Sequence, residues 1–464
     1  MKIIQLQQSQ KSITKKLFLL LLFILALPNI ALLSAALFSG AERSFINIDY
    51  FIPLMLFSIG TRSFAILTFI LFFSIDCFIL TLQFFPFVKI SDIIYLSSFI
   101  LFGQTLYILI IYSTLIILTM KILILNKIGH KFTTLEILYT YSIFLFLTIL
   151  SSLPFSLNTK LQINKYTQSY TVFLLKHHND TFLNLTGEKG KILVESPFNS
   201  ATQPWHSLLK EKQTPHHRLL LIVAESWGFA SESEVQEAIL AKLKAKSSSL
   251  SFFSEGHFFF SGATVGGEIR ELCALKARSL DLSLVKTPEF SNCLPQQVKN
   301  LGYETYALHG ALANLYARDQ WYPRVGFDHI TFFNDYSWPR KCHAFNGACD
   351  VDLTPVISET FARKNDIFFY WLTLNSHADY DERDIFSSRI DCWALKIDPT
   401  SESCRIIKLH AQFFDALSEL ITNPNMQNVE VIVAGDHPPP FFDIRQNINT
   451  FKQGQVSWIH FRTK

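Results

Sequence analysis

The sequence predicts a chain of two parts: an N-terminal helical membrane domain with five spans, and a larger α/β domain whose mixed sheet is sandwiched by helices. Three observations support this fold class. Residues 1–158 consist mainly of long apolar segments. From Arg218 onward, strand-like segments alternate with helix-like segments, which indicates a parallel or mixed sheet covered on both faces. Two strongly apolar strand segments, in RLLLIVAE and VEVIVAGD, are followed by acidic side chains.

The membrane domain is predicted from five apolar segments, since a helix needs about 20 apolar residues to cross a bilayer. They are Lys16–Phe38, Phe45–Ile59, Phe64–Phe85, Ile93–Leu118 and Ile137–Pro154. The second segment is the weakest, because it is short and contains Asp49. Whether it inserts decides the parity of the spans, and so the side of the membrane that receives the α/β domain.

Basic residues predict the orientation of the spans. One set of flanks carries Lys2, Lys11, Lys15, Lys16, Arg62, Lys121, Lys127 and Lys131, and the other carries Arg43 and Lys89. The positive-inside rule therefore places the N-terminus in the cytoplasm. With five spans the α/β domain is periplasmic or otherwise extracytoplasmic, and the protein is a multi-pass protein of the inner (cytoplasmic) membrane. With four spans the domain would face the cytoplasm.

Cysteine usage agrees with an exported domain. Cys77 lies in an apolar segment, and the other six cysteines lie in the α/β domain. An even number of cysteines favours disulfides in an oxidising compartment. Counting leaves the connectivity open. We favour pairing between sequence neighbours, which joins 273 to 293, 342 to 349 and 392 to 404. The alternative is a set of reduced, unrelated thiols, since no spacing is the C-x2-C of a structural zinc site.

Residues 159–217 are polar and read as a connector between the membrane domain and the α/β domain, residues 218–464. His216 and His217 could bind a metal there, but a solvated pair is the simpler interpretation. The net charge of +3 arises from dispersed residues and gives no reason to expect nucleic-acid binding.

In the α/β domain we predict helices and strands in alternation. The predicted helices cover Ser231–Lys246, Val265–Ala277, a short segment around Leu315, Thr354–Arg363 and Ile406–Ile421, and the strands include HFFF, ETYALHG, HITFF, DIFFYWLTL and VEVIVAG. This order predicts that several strands end at one edge of the sheet, which is where open α/β sheets bind ligands.

Three side chains are predicted to hold a metal ion at that edge. Glu225 follows the first strong strand, and Asp436 and His437 follow the last. Carboxylate with imidazole is a typical ligand set for Zn or Mn, and Mg is less compatible with the imidazole. We therefore expect one divalent metal.

Thr264 is the predicted nucleophile. It lies where a helix is expected to begin, and the free backbone N–H groups of a helix N-terminus favour anions such as phosphate. The alternative is a helix N-cap, for which Thr is common. A metal held by Glu225, Asp436 and His437 would lower the pKa of the Thr264 hydroxyl, which favours the catalytic interpretation.

Taken together, AESWG, Thr264, TLNSHADY and AGDH resemble the extracytoplasmic transferases of the alkaline-phosphatase (sulfatase-like) superfamily. These include lipoteichoic acid synthases, glucan phosphoglycerol transferases and lipid A phosphoethanolamine transferases. The resemblance runs from Arg218 to the C-terminus, and five N-terminal spans are similar too. It implies that Glu225, Thr264, Asp436 and His437 hold the metal, with Thr264 as nucleophile and Ser261 as the fallback.

The resemblance also implies further site residues. The stretch GYETYALHGALANLYARDQWYPRVGFDH looks like the segment that holds glycerol phosphate in lipoteichoic acid synthases, so His309, Tyr316 and Arg318 would bind the phosphate group. An ion pair of Arg318 with Asp319 or a surface acid is the alternative. His377 would contact phosphate and act as general acid or base, unless it is a structural histidine.

The transferred group stays open between phosphoethanolamine and phosphoglycerol. Tyr316 and Ala311 depart from the synthase pattern, while GDHPPPF departs from that of the phosphoethanolamine transferases, which the predicted disulfides otherwise resemble. The expected reaction moves a phospholipid head group through a phosphothreonine to an envelope glycan or to the lipid A part of lipopolysaccharide. A sulfatase or phosphodiesterase of the same fold is one alternative, although Cys293-Leu294-Pro295-Gln296-Gln297 lacks the Arg of the sulfatase motif. A non-catalytic membrane binding module is the other.

Overall fold

The computed structural model describes residues 25–85, 88–89, 92, 95, 105–128, 132–152, 166–177, 191–363 and 365–464. These residues form two compact units. We name them after the sequence predictions: the membrane unit contains the described residues up to 85 and those from 105 to 177, and the catalytic unit contains residues 88–95 and 191–464 where described.

The membrane unit is helical. Its helices are α1 (Ile30–Ser39), α2 (Phe51–Ser58), α3 (Arg62–Phe84), α4 (Thr105–Ile128), α5 (Thr134–Ser152) and α6 (Tyr170–His177), and its strands β1 (Ile46–Asn47) and β2 (Thr167–Gln168) pair in parallel. Asp49 is buried and accepts hydrogen bonds from the hydroxyl groups of Ser169 and Thr171 at the start of α6. Asp49, the acid that made the second segment the weakest candidate for a span, therefore has a structural role: it binds the start of α6.

Two helices in the described part are long and apolar enough to cross a membrane, Arg62–Phe84 and Ile108–Lys127. Five spans are not confirmed. The second predicted span contains the short strand β1, a 3-10 turn and the eight-residue helix α2, which is too short to cross a bilayer as a helix. The first predicted span lies partly outside the described residues. The fourth, predicted as Ile93–Leu118, also lies partly outside the described residues; within them, Tyr95 packs in the catalytic unit and α4 covers Thr105–Ile128.

The catalytic unit is built on one eight-stranded mixed sheet, as predicted. Its strands are β4 (Arg218–Ala224), β5 (Gly228–Ala230), β6 (Leu250–Phe259), β8 (Glu304–His309), β9 (His329–Thr331), β10 (Ile367–Leu372), β11 (Glu430–Gly435) and β12 (Phe451–Thr463). They lie in the order β5-β12-β11-β4-β10-β8-β9, and β6 also pairs with β12. A separate two-stranded antiparallel sheet pairs β3 (Leu193–Glu195) with β7 (Leu275–Ala277).

Helices cover both faces of this sheet. They are α7 (Gln203–Lys210), α8 (Ser233–Lys244), α9 (Thr264–Cys273), α10 (Leu294–Asn300), α11 (Arg318–Val325), α12 (Asp350–Arg363), α13 (Glu402–Leu420) and α14 (Ile444–Thr450). Residues from α8, α12 and α13 share one core cluster with Leu220 and Ile222, whereas residues from α7, α9, α10 and α11 share the other with Leu219 and Leu221. Successive side chains of β4 thus enter opposite cores, which explains its continuous apolar run.

Burial at the centre of the sheet is complete. Leu219 to Val223 are fully buried, and each such aliphatic side chain stabilises the fold by roughly 1.5–3 kcal/mol relative to exposure. The strand β12, which pairs antiparallel with β11, was missing from the sequence prediction. Its stretch FKQGQVSWIHFRT mixes polar and apolar residues, and toward its C-terminal end fully buried positions alternate with partly buried ones.

The three predicted disulfides are confirmed: Cys273–Cys293, Cys342–Cys349 and Cys392–Cys404. Cys77 is free. Each bridge closes a short loop, and a bridge of this kind typically stabilises a domain by about 2–4 kcal/mol. The pairing favours an oxidising environment for the catalytic unit.

Candidate active site

Four adjacent parallel strands, in the order β11-β4-β10-β8, deliver the predicted site residues to one edge of the sheet. Asp436 directly follows β11, Glu225 follows β4, and His309 ends β8. His377 lies a few residues beyond β10. The carboxyl ends of parallel strands share an edge, so residues far apart in the chain converge there.

Glu225, Asp436 and His437 form a buried group whose ligand atoms lie within 4.8 Å of one another. The imidazole Nε2 of His437 lies 3.5 Å from Glu225 Oε1 and 3.3 Å from Asp436 Oδ2. The His437 Nδ1–H group donates to the carbonyl of Pro438 at 2.9 Å, which leaves Nε2 with its lone pair toward the carboxylates. This orientation is the one that a metal-ligating histidine needs.

The two oxygens of Asp436 have different surroundings. Oδ1 accepts hydrogen bonds from the backbone N–H groups of Ser226 and His437, at 2.7 and 2.6 Å. Oδ2 is buried and has no hydrogen-bond partner among the described residues. A buried carboxylate oxygen that faces an imidazole lone pair calls for a cation between them, and so the residues present fit a divalent metal.

The pKa values of Asp436 and His437 also indicate that this group favours a cation. Burial and then repulsion from Glu225 raise the pKa of Asp436 to about 7. Burial alone would lower the pKa of His437, but the charges of Asp436 and Glu225 outweigh it and raise that pKa. Both shifts mean that the folded chain favours added positive charge here, whether from protons or from a metal ion.

The hydroxyl of Thr264 points into this group. Thr264 Oγ1 lies 3.3 Å from Glu225 Oε2 and 3.3 Å from His437 Nε2. Thr264 is the first residue of α9, whose N-cap is Ala263 and has no side-chain cap. The Thr264 side chain therefore does not cap the helix. Ser261, the alternative nucleophile, is exposed. The geometry favours Thr264 over Ser261 as the nucleophile.

Backbone contacts hold the ligands in place. The Glu225 N–H donates to Thr373 Oγ1 at 2.9 Å, and the Ser376 hydroxyl donates to the Glu225 carbonyl at 2.6 Å. On the other side, the buried guanidinium of Arg270 donates to the carbonyls of Gly435 and Asp436 at 2.6 and 3.1 Å. These supporting residues were not predicted, because nothing in their local sequence marks a partner so far along the chain.

The predicted phosphate-binding residues lie together beside α9. Arg318 is buried, its Nη1 lies 3.5 Å from His309 Nε2, and its Cζ lies 5.2 Å from the centre of the Tyr316 ring. His309 Nδ1 bonds the Leu372 carbonyl at 3.0 Å. Burial, and secondarily Arg318, lower the pKa of His309 well below its usual value, so the imidazole is neutral. Burial raises the pKa of Tyr316 to about 12.

Arg318 forms an ion pair that the sequence analysis did not foresee. Its partner is the buried Glu268, at 2.8 Å from Nη2, and not Asp319 or a surface acid. Glu268 also accepts hydrogen bonds from the hydroxyl groups of Tyr322 and Tyr370. Burial opposes ionisation of Arg318, yet Glu268 outweighs it and raises the pKa of the guanidinium. The spacing of Glu268 one helical turn after Thr264 was the available signal.

His377 has the Nδ1–H tautomer fixed by the carbonyl of Ala378 at 2.6 Å. Burial lowers the pKa of His377 to about 4, so the imidazole is neutral near pH 7 with its lone pair on Nε2. A neutral imidazole with a free lone pair is suited to accept a proton.

The family model described as Sulfatase matches residues 217–463, more than half of the 464-residue chain. No curated protein sequence matches significantly. Among solved structures, a lipoteichoic acid synthase, LtaP, from Listeria monocytogenes aligns at 16% identity over 53% of this chain and 65% of its own, with a TM-score of 0.40. The chain thus spans slightly less than two thirds of that protein.

Two further solved structures are similar to a lesser degree. The phosphoglycerol transferase GacH from Streptococcus pyogenes, in complex with sn-glycerol-1-phosphate, aligns at 14% identity over 56% of this chain and 72% of its own, with a TM-score of 0.38. The C-terminal periplasmic domain of EcEptC from Escherichia coli aligns at 14% identity over 54% and 74%, with a TM-score of 0.37. The family assignment rests on the Sulfatase match and not on these likenesses.

Proposed function

Since the chain belongs to the Sulfatase family, we propose that it is a membrane-anchored, metal-dependent transferase of phospholipid head groups. The observation that carries the proposal is the position of the Thr264 hydroxyl, 3.3 Å from both Glu225 and His437 at a helix N-terminus. A hydroxyl nucleophile beside a metal-ligand set is suited to attack phosphorus and to form a covalent intermediate.

Glu225, Asp436, His437 and Thr264 would hold one divalent ion, with Zn or Mn as the proposed metal. When bound, the ion would supply positive charge that lowers the pKa of the Thr264 hydroxyl. The chain's own contribution is orientation. Pro438 fixes the His437 tautomer, and Arg270 fixes the backbone of Asp436.

In the first half of the reaction, Thr264 Oγ1 forms a bond to the phosphorus of a phospholipid, and the bond from phosphorus to the diacylglycerol oxygen breaks. The proton of the Thr264 hydroxyl ends on the released diacylglycerol. His309, Tyr316 and Arg318 would orient the phosphate group. Because Glu268 already pairs with Arg318, the guanidinium can offer only its remaining donors to a phosphate oxygen.

In the second half, a hydroxyl group of an envelope glycan or of lipid A attacks the phosphothreonine. The new oxygen–phosphorus bond forms, the bond to Thr264 Oγ1 breaks, and the acceptor's proton returns to Thr264. His377, neutral and with a free lone pair, would relay that proton as general base. The transferred group is phosphoethanolamine or phosphoglycerol.

Sulfatase chemistry at a formylglycine is disfavoured by one specific observation. Cys293, the first residue of the nearest match to that motif, is fully buried and bonded to Cys273. A phosphodiesterase-type hydrolase of the same fold stays the second candidate function. A non-catalytic binding module is less well supported, because all four ligand-type residues are present and converge.

We further propose that the protein is a multi-pass protein of the inner membrane with its catalytic unit outside the cytoplasm. The two long apolar helices and the three disulfides support this location. Lys89, which the charge pattern placed outside, donates to the carbonyl of Arg278 within the catalytic unit at 2.5 Å. A donor lipid and the diacylglycerol product would both lie in the same bilayer.

Intact mass spectrometry of the purified full-length protein tests the proposal. The metal-loaded wild type is incubated with phosphatidylethanolamine or with phosphatidylglycerol, and the Thr264→Ala and Ser261→Ala variants serve as a matched pair. We expect a mass increase equal to one phosphoethanolamine or one phosphoglycerol group in the wild type and in Ser261→Ala, and none in Thr264→Ala.

The identity of the modifying lipid would name the donor. Modification of Thr264→Ala but not of Ser261→Ala would transfer the nucleophile's role to Ser261. Release of the free head group without any covalent intermediate or acceptor product would favour the hydrolase.

A further inference from the structure

A short loop closed by the Cys342–Cys349 disulfide lies next to the active site. Its ends are held together a second time, since the N–H of Cys342 donates to the carbonyl of Gly347 at 2.9 Å. The buried carboxylate of Asp384 accepts hydrogen bonds from the N–H groups of His343 and Ala344. The loop is therefore fixed by covalent and polar contacts on both sides.

The same loop is fixed to the ends of two site-bearing strands. The Ala348 N–H donates to the carbonyl of Gly310, the residue after His309, at 2.8 Å. Gly347 packs so tightly there that an added Cβ would lie 2.4 Å from the Gly310 carbonyl oxygen and 2.4 Å from a methyl group of Leu374. Asp350, just after the disulfide, accepts hydrogen bonds from the N–H groups of Leu374 and Asn375. These contacts give the loop a defined position relative to His309 and His377.

At the tip of the loop, Phe345 contacts the candidate general base. The ring centres of Phe345 and His377 are 4.4 Å apart, and the rings meet edge to face. Phe345 and Asn346 both have left-handed backbone conformations, with φ of 48° and 50°. Left-handed conformations cost free energy in residues other than glycine, and they persist only where the surrounding contacts impose them.

Phe345 also belongs to a small apolar cluster beside the site. The cluster contains Ala311, Leu312, Leu315, Ala344, Phe345 and Leu374. Ala311 and Leu315 lie within the predicted phosphate-binding segment, between His309 and Tyr316, while Leu374 precedes His377. The imidazole of His377 is thus packed against an apolar wall on the side of the disulfide loop.

We propose that Phe345 is a positioning residue that holds the imidazole of His377 in its reactive orientation, and that the Cys342–Cys349 disulfide fixes Phe345 for this role. The inference rests on the proposed function of His377. Two contacts define the imidazole: the Ala378 carbonyl fixes the Nδ1–H group, and the Phe345 ring restricts rotation of the ring plane. Among the described residues Nε2 has no recorded hydrogen bond, so packing directs it.

Chemical modification of histidines tests the positioning without any need for turnover. Diethyl pyrocarbonate acylates accessible imidazole nitrogens, and peptide mass spectrometry measures the rate at each histidine of the full-length protein. We expect the rate at His377 to rise severalfold in Phe345→Ala and less in Phe345→Leu. His217 and His329 are exposed, lie outside the disulfide loop and serve as internal references. Phe259→Ala, which removes an exposed ring on β6, is the matched control.

Kinetics of head-group transfer provide the second measurement. Phe345→Ala is expected to lower kcat with little change in KM for the lipid, and to cause no further loss in a His377→Ala background, because both substitutions would remove the same contribution. Equal His377 modification rates in the wild type and Phe345→Ala would overturn the inference, as would a full additional loss of kcat in the double variant. If the wild type transfers no head group, the proposed function fails while the modification rates still decide the position of His377.

Discussion

Asp436 packs directly against Gly267, one turn into the helix that Thr264 begins. A methyl group at position 267 would lie 2.7 Å from the Asp436 carbonyl oxygen and 2.8 Å from its Cα. The backbone of one candidate metal ligand therefore rests on the helix of the candidate nucleophile. This contact fixes the position of Thr264 relative to Asp436, although the two residues are far apart in the chain.

The contact predicts that Gly267→Ala weakens metal binding, because the added methyl group pushes the Asp436 backbone away from α9. Overpacking of this kind typically costs about 1–3 kcal/mol of stability. The metal affinity, measured by calorimetric titration, and the rate of head-group transfer should both fall. The neighbouring Gly266→Ala is the control, since its Cβ would meet only the ring edge of Phe260 at 3.3 Å. Equal metal affinity in the two variants would contradict the prediction.

The buried ion pair between Glu268 and Arg318 predicts a large loss of stability in Glu268→Gln. The variant leaves a buried guanidinium without its counter-charge, and breaking such a pair costs roughly 3–5 kcal/mol. Thermal unfolding of the purified protein in detergent measures the effect. The partly exposed pair of Arg340 with Asp352 provides the comparison, and Arg340→Gln should cost about 1 kcal/mol or less. A similar melting temperature for both variants would be inconsistent with this account.

Asp350 predicts a pH dependence of stability. Burial raises the pKa of Asp350 to about 7 in the folded chain, whereas the pKa of Asp in an unfolded chain is about 3.9. An acid with a raised folded pKa favours the fold while it is protonated. Its contribution is complete below the unfolded pKa and is lost as the pH rises through about 7. The Asp350→Asn variant, which cannot ionise, should show a flatter melting temperature from about pH 4 to pH 7. Glu382→Gln, at an exposed acid, should keep the wild-type slope.

The disulfides predict a simple thiol count. Alkylation of the denatured, unreduced protein should add one label, at Cys77, and alkylation after reduction should label all seven cysteines. Intact mass measures both numbers. Expression in a reducing compartment should give the higher count without added reductant and a lower melting temperature, since each bridge contributes about 2–4 kcal/mol. Seven labels before reduction, from protein exported to an oxidising compartment, would refute the pairing.

Local sequence patterns determined much of the catalytic unit. The runs LLLIV and VIVA specify strands that are buried on both faces, and the residues just after them, Glu225 and Asp436, are bound to lie at the edge where those strands end. Pairing of neighbouring cysteines was also predictable. Such features depend on residues close together in the chain, for which periodicity and spacing carry the information.

Tertiary structure alone decided the rest. The partner of Arg318 is Glu268 because α9 and α11 pack on the same face of the sheet, and no local pattern records that meeting. Five membrane spans are not confirmed, and two of the predicted spans coincide in part with the long apolar helices Arg62–Phe84 and Ile108–Lys127. Hydropathy counts apolar residues without distinguishing lipid from protein, so Tyr95 was assigned to a span although it packs in the catalytic unit. Likewise, the distance between Gly267 and Asp436 is set by steric contact. Close packing there leaves no room for a methyl group.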